Sequence, residues 1–314
     1  MKIIFMGTPE FGAIILEKLI KNKYKPILVV TSPDKKKGRK QIISPSPVKI
    51  VSKKYGISVD QPKKIKEIKL KIKKLKPDLG IVASFGQIIP SEILPLPKFG
   101  FINVHPSLLP KYRGPSPIQA VILKGEKKTG VSIIKMIEKV DAGPILKSEK
   151  LKAQIEKLSF KDLHDRLANL GAELLIKVIP DWSQGKIIAK EQDEKKASYT
   201  KIIKKEDGRI SWQKPAQVLE REVRAFYPWP GSYTFWKYKN RLIKIKILKA
   251  RILKSLKKTK LPFGKVLAFS QEKVGVACKK DFLIIETLQM EGKKETKVKD
   301  FLKGYHGFKD SLLV

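Results

Sequence analysis

The chain holds one cysteine, Cys278, and three histidines. A single thiol excludes an internal disulfide, and so few nitrogen and sulfur ligands argue against a metal site. No apolar run approaches the roughly 18 residues that a membrane helix needs. The opening run Ile3-Ile4-Phe5-Met6 is too short for a signal-peptide core, and Gly7-Thr8-Pro9-Glu10 breaks it. The cytoplasm is therefore the expected compartment. The glycines of Gly7-Thr8-Pro9-Glu10-Phe11-Gly12 lack the G-x-G-x-x-G spacing of a dinucleotide site, and Ala13 stands where a phosphate loop would place Lys. They read as a tight strand-to-helix turn. Acidic residues are scarce, 30 against 68 Lys and Arg.

What is present is length, apolar content and positive charge. A chain of 314 residues with 42% hydrophobic side chains can bury one large core or two ordinary ones. The net charge of +38 favours an anionic partner such as nucleic acid. Part of the excess is spread along the whole chain, as a general lysine bias would spread it, and part is clustered. Arg241 to Lys260 holds nine basic residues and no acidic one.

Short apolar runs alternate with helical patterns through residue 185, which predicts a doubly wound parallel sheet. The strands are Ile3 to Met6, Pro26 to Val30, Leu79 to Ala83, Phe101 to His105 and Val131 to Ile137, with Ile145 to Leu151 returning at an edge. Ile65, Ile68, Ile72 and Leu75 predict a helix over Pro62 to Lys76, and Phe160, Leu163, Leu167, Leu170, Leu174 and Val178 predict a longer one. Thr31 to Lys49 reads as a Pro-, Ser- and Lys-rich loop, long for an α/β connection and charged by Lys35, Lys36, Lys37, Arg39 and Lys40. Polar residues 186–207 read as a linker. From Leu242 the period becomes two: Ile243, Ile245 and Ile247 alternate with Lys244 and Lys246, and further short strands predict a small OB-like barrel over 208–314. Lys244 and Lys246 share its outer face as a basic rib. The aromatics between Arg224 and Thr234 read as core rather than as a base-stacking surface.

Phe101-Ile102-Asn103-Val104-His105-Pro106 is the pivotal stretch. It reads as a buried strand ended by a rigid loop, with Asn103 and His105 on one face. Two such residues are either satisfied by nearby backbone or placed for a ligand at the carboxyl end of a parallel strand. The run from Asn103 through Ser107-Leu108-Leu109-Pro110 to Tyr112-Arg113-Gly114 resembles the signature of the folate-dependent formyltransferases. Val140-Asp141-Ala142-Gly143-Pro144-Ile145 resembles that family's second signature.

The resemblance covers nearly the whole chain and is nearest to members that formylate the methionyl group of aminoacylated initiator tRNA. It implies a Rossmann-like formyltransferase domain over 1–185, a linker and a tRNA-binding domain over 208–314. It implies 10-formyltetrahydrofolate as formyl donor, no metal, no membrane partner and a monomeric enzyme. Asn103, His105 and Asp141 are implied as the catalytic set. Ser107, Leu108, Leu109 and Pro110 would border the folate, with Phe85, Gly86, Gln87 and Ile88 on the pterin side, where the family more often has Tyr than Phe85. The basic loop and the barrel rib, Lys35, Lys36, Lys37, Arg39, Lys40, Lys244 and Lys246, would meet tRNA. These residue types suit direct acyl transfer: Asn and a charged His can donate to an oxyanion, and a carboxylate stabilises that charged His. Two other readings are a formyltransferase for a small amine, such as a ribonucleotide or an amino sugar-nucleotide, and an RNA-binding protein with an inactive formyltransferase-like domain.

Overall fold

A computed structural model describes residues 1–38, 41–255 and 261–314. In chain order its first elements are β1 (Ile3–Gly7), α1 (Glu10–Lys21), β2 (Leu28–Val30), β3 (Lys35–Lys37), β4 (Ile42–Ser44), α2 (Pro47–Lys54), β5 (Val59–Asp60), α3 (Lys69–Leu75), β6 (Leu79–Ala83) and β7 (Phe101–His105). Then follow α4 (Pro117–Lys124), β8 (Gly130–Lys135), β9 (Ile145–Lys150) and α5 (Phe160–Ser183). After these come α6 (Ala216–Phe226), β10 (Ser232–Tyr238), β11 (Arg241–Leu253), β12 (Val266–Ser270), β13 (Lys273–Ala277), β14 (Phe282–Met290), β15 (Thr296–Lys297) and α7 (Val298–Gly304). The chain divides into two compact units. One is Met1–Pro117 with Lys128–Ala153 and Asp162–Lys201; the other is Ile118–Lys127 with Gln154–Lys161 and Ile202–Val314. Residues 186–201 thus belong to the first unit, although composition had suggested a linker through 207. No helix among the described residues is long and apolar enough to cross a membrane.

The first unit is built on a seven-stranded sheet of order β5-β2-β1-β6-β7-β8-β9. Strands β5 through β7 are parallel, while β8 and β9 pair antiparallel at one edge. The parallel strands are continuous apolar runs because both faces are covered. On one face Ile4, Met6, Leu28, Val30 and Val82 pack with Ile65 and Ile72. On the other, α5 approaches β7 so closely that a Cβ on Gly171 would lie 2.7 Å from Val104 Cγ1. The helix expected over Pro62 to Lys76 is shorter: a 3-10 turn at Ile65–Ile68 leads into α3, and left-handed Lys76 (φ 45°) ends it before Pro77.

Thr31 to Lys49 is not a plain loop. Lys35–Lys37 pairs with Ile42–Ser44 as a small antiparallel hairpin, with Gly38 (φ 68°) and Gln41 (φ 51°) left-handed at its tip. Three consecutive lysines carry no strand signal, so local composition could not show it. Helix α2 starts inside the same stretch. Ser46 accepts a hydrogen bond from Lys49 N at 3.1 Å, and Pro47 occupies the first turn. Arg39 and Lys40 lie outside the described residues.

The second unit contains the antiparallel sheet that the period-two pattern indicated, of order β10-β11-β14-β13-β12, with β15 beside β14. The segment Ser311–Val314 joins its two open edges. Phe235 and Val314 exchange backbone hydrogen bonds of 2.8 and 2.9 Å, while Leu313 N donates to Gly264 O and Val266 N to Ser311 O, each at 2.9 Å. The sheet is thereby closed into a barrel, which removes exposed edges. Ile245 and Ile247 are buried inside. Trp236 fills the centre, stacked on Tyr238 at 4.5 Å and meeting Phe301 and Phe308 edge-on. Strand β10, whose aromatic run had no clear period, was not legible in the sequence. Phe226 is buried as expected, whereas Trp229 is exposed.

Two outcomes follow from this packing. Burial pushes the Cys278 thiol up to about 12, so it should not react with a thiol reagent at pH 8 until denaturant is added; rapid labelling of folded protein would contradict its placement. Gly171→Val overpacks the α5–β7 contact and should cost about 1–3 kcal/mol in a denaturant titration; an unchanged midpoint would show that the helix is free to move away.

Candidate active site

Strand β7 places Asn103 and His105 on one face because successive strand residues alternate sides, and the residue between them, Val104, turns to α5. Strand β8 runs antiparallel beside β7, pairing Asn103 with Ile134 and His105 with Ser132. Strand β9 returns antiparallel along β8, so the chain reverses after Lys135. It does so in a turn so tight that a Cβ on Gly143 would sit 1.8 Å from the Lys135 carbonyl oxygen. That reversal folds Asp141, left-handed at φ 51°, back over the Asn103 and His105 face.

The three side chains converge. Asn103 Nδ2 donates to Asp141 Oδ1 at 3.3 Å, and Gly114 N donates to Asp141 Oδ2 at 2.8 Å. His105 Nδ1 lies 3.6 Å from Asp141 Oδ2. His105 Nε2 is 2.9 Å from the Tyr112 carbonyl oxygen, an acceptor only, so that nitrogen carries the proton of the neutral ring. Nδ1 is left facing the carboxylate. His105 is only 4% exposed, so this geometry is set by protein rather than by bulk water. Tyr112 (φ 63°) and Gly114 (φ 101°) are also left-handed; positive φ at Tyr112 and Asp141 is uncommon enough to mark the place.

The loop after β7 is internally braced. Ser107 Oγ donates to the Lys111 carbonyl at 2.6 Å, Ser132 Oγ donates to the Ser107 carbonyl at 2.9 Å, and Leu109 N donates to Ser132 Oγ at 3.1 Å. Ser107 and Leu109 are buried, and Leu108 and Pro110 are partly exposed. On the neighbouring carboxyl end of β6, Phe85 is buried in the apolar core, and Gly86 is left-handed at φ 83°. Gln87 is engaged by its own neighbours, accepting from Ile65 N at 2.8 Å and donating to Pro62 O at 3.2 Å. Ile88 is 72% exposed. Phe85, Gln87 and Ser107 therefore shape their loops from beneath, while Ile88 presents a surface.

The proposed basic contacts fall in both units. Lys35 and Lys36 are exposed on the hairpin that follows β2. The nearby Lys49 is bound to Asp34 at 2.6 Å. Lys244 and Lys246 stand on β11 opposite Phe235 and Tyr233, and Lys244 Nζ lies 3.5 Å from the centre of the Tyr233 ring. Partial burial, with Lys205 and Lys246 nearby, lowers the Lys244 pKa from its ordinary value.

Composition and period missed one part of the site. Arg113 is fully buried, directly after Tyr112. Its Nε and Nη2 donate to Gln192 Oε1 at 3.1 and 2.9 Å, Nη2 also to Glu194 Oε1 at 2.8 Å, and Nη1 to the Tyr199 hydroxyl at 3.1 Å. Arg113, with help from Lys139, holds the Glu194 carboxyl at about 2, well below the usual carboxylate range. These partners lie on residues 190–200, which follow the site and bond to it repeatedly. Lys190 exchanges backbone hydrogen bonds with Ile145, and Thr200 N donates to Arg113 O. The available signal was Arg113 itself, within Tyr112-Arg113-Gly114.

Comparison with known proteins identifies the family. The formyl transferase family model matches residues 1–179, and the model for the formyl transferase C-terminal domain matches 202–306. A methionyl-tRNA formyltransferase of Citrifermentans bemidjiense is 40% identical over 307 residues, covering 97% of this chain and 94% of its own. Among solved structures, an N-formyltransferase of Helicobacter canadensis in complex with folinic acid and dTDP-3-aminofucose superposes with a TM-score of 0.65 at 20% identity, over 94% of this chain and all of that one (100%). HypX of Aquifex aeolicus, in complex with tetrahydrofolic acid, superposes with a TM-score of 0.64 at 17% identity, over 97% of this chain and about half of the longer HypX chain (47%). At those identities the solved structures speak for the fold. Two family models spanning both units, and a relative matched almost end to end, place this chain in the methionyl-tRNA formyltransferase family.

Proposed function

We propose that this chain transfers a formyl group from 10-formyltetrahydrofolate to the free amino group of the methionyl moiety of aminoacylated initiator tRNA. The observation that carries the reading is the meeting of Asn103, His105 and Asp141 on one face, from two sequence segments 38 residues apart. The methionyl-tRNA in the relative's name, the folates of the structural neighbours and the net charge of +38 support the choice of partners.

In the proposed reaction the substrate amine attacks the formyl carbon and the carbonyl oxygen becomes an oxyanion. The carbon–nitrogen bond to folate N10 then breaks. The proton lost by the amine ends on that nitrogen, so no separate acid or base is consumed. Asp141 orients Asn103 through one amide N–H and leaves the second as the donor to the oxyanion. His105, facing Asp141 through Nδ1, is the proton carrier between amine and folate. No serine or cysteine nucleophile is called for, since the substrate amine is the nucleophile. The loop at Ser107–Pro110 and the surface at Gly86 and Ile88 border the folate in this reading. Lys35, Lys36, Lys37, Arg39, Lys40, Lys244 and Lys246 meet tRNA phosphates, and the enzyme works as a cytoplasmic monomer.

Incubation with methionylated initiator tRNA and labelled formyl-folate tests the assignment directly: formyl-methionyl-tRNA should accumulate, and its absence would refute it. Asn103→Ala and His105→Ala should each lower kcat by about 10²–10³-fold, the cost of losing a transition-state donor. Asp141→Asn should also be slow and should change the pH–rate profile. Wild-type turnover in either alanine variant at saturating substrate would remove that residue from the chemistry. Replacing Lys244 and Lys246 with Ala should weaken tRNA binding and flatten its salt dependence by about 0.7–0.9 in log–log slope for each phosphate contact removed. An unaltered slope would assign both lysines to solvent or to the barrel itself, where Lys244 already covers Tyr233.

A further inference from the structure

Gln192 has one geometric peculiarity: both ends of its amide are committed, and to different parts of the site. Nε2 donates to the carbonyl oxygens of Asp141 at 2.9 Å and of Gly143 at 2.7 Å. Oε1 accepts from Arg113 Nε and Nη2. A flipped amide would set its oxygen against two carbonyls and its NH2 against a guanidinium, so one orientation alone is satisfied. The residue is buried, which makes each of these hydrogen bonds costly to leave unmade.

The two carbonyls that Gln192 holds bracket the turn presenting Asp141. That turn has an aspartate at φ 51° and a glycine wedged against Lys135. Left-handed backbone at a non-glycine residue persists where its surroundings over-determine it. Here the over-determination comes from Gln192 on one side and from the Gly114 N–H on the carboxylate on the other. Arg113 in turn is held by Glu194 and Tyr199 on the same segment as Gln192. Glu194 also binds Lys139 at 3.1 Å, just ahead of the turn.

We infer that Gln192 is a positioning residue for formyl transfer: its amide, oriented by Arg113, clamps the Asp141–Gly143 turn so that the Asp141 carboxylate stays on Asn103 and His105. The inference rests on the formyl-transfer reading above. A residue that only filled space or partnered Arg113 would affect stability and leave turnover untouched in any folded variant.

Gln192→Glu separates the two ends of the amide. It keeps the oxygen acceptor for Arg113 and loses the donors to the turn. Expected is a kcat lower by about 10²-fold, the scale set by a small misplacement of a reacting group. KM for folate and for tRNA should be unchanged, while the thermal midpoint falls because the two buried carbonyls lose their donor. Hydrogen exchange should quicken in the peptide containing Asp141 to Gly143. In the Asp141→Asn background the same change should cost little more, because the group being positioned is already lost. Should Q192E not fold, Gln192→Asn, which keeps the amide but one methylene short, is held to the same outcomes. Wild-type kcat in a folded variant, or full additivity with Asp141→Asn, would overturn the clamp. If the wild-type protein formylates nothing, the functional reading fails instead, while exchange in the turn still reports whether Gln192 holds it.

Discussion

A buried arginine governs the region around the site. Arg113 has no exposed surface, and an unpaired guanidinium in that position would carry a desolvation cost of several kcal/mol. Its partners must therefore come to it. Gln192, Glu194 and Tyr199 do so from about 80 residues further along the chain, and they draw residues 190–200 onto the loop that follows β7. The same segment reaches the Asp141 turn through the other end of Gln192. One satisfied cation thus links three stretches of chain, and the carboxylate at their centre acquires a defined position. Glu194 remains ionised far below its ordinary range because Arg113 and Lys139 both face it, so this linkage persists across the neutral and mildly acidic range.

A second constraint is close backbone approach. Gly171 lets α5 reach Val104 on the rear of β7, and Gly143 lets the chain reverse against Lys135. Between them they settle where the front face of β7 is and what folds over it. The loop after β7 is held by hydroxyls, Ser107 and Ser132, that spend their hydrogen bonds on the protein. In the proposed reaction, rigidity of this kind matters because the donors must already be aimed at the oxygen where charge develops.

Much of this was legible because it rests on local periodicity. The buried strands from Ile3, Leu79 and Phe101, the amphipathic α5 and the alternating Ile245 and Ile247 each repeat over a few residues, and each lies where its pattern placed it. The meeting of Asn103 and His105 on one face followed from strand alternation alone. What escaped had no period. The Lys35–Lys37 hairpin is paired through backbone while its side chains look like loop, and β10 alternates only once its barrel neighbours are known. Residues 186–201 looked like a linker because they are polar, yet polar residues are what a buried arginine and two backbone carbonyls require.

The amino-acid sequence by itself determined the family, the order of apolar strands, the pairing of Asn103 with His105 and the excess of positive charge, since each is a property of neighbouring residues or of simple sums. Tertiary structure alone decided that Asp141 returns to that pair, that Gln192 bonds the Asp141 turn and Glu194 the buried Arg113, and that Ser311–Val314 closes the barrel. Those outcomes depend on strand direction, on the space left by particular glycines and on the need to satisfy a buried charge. These are relations between distant segments, and no local pattern encodes them.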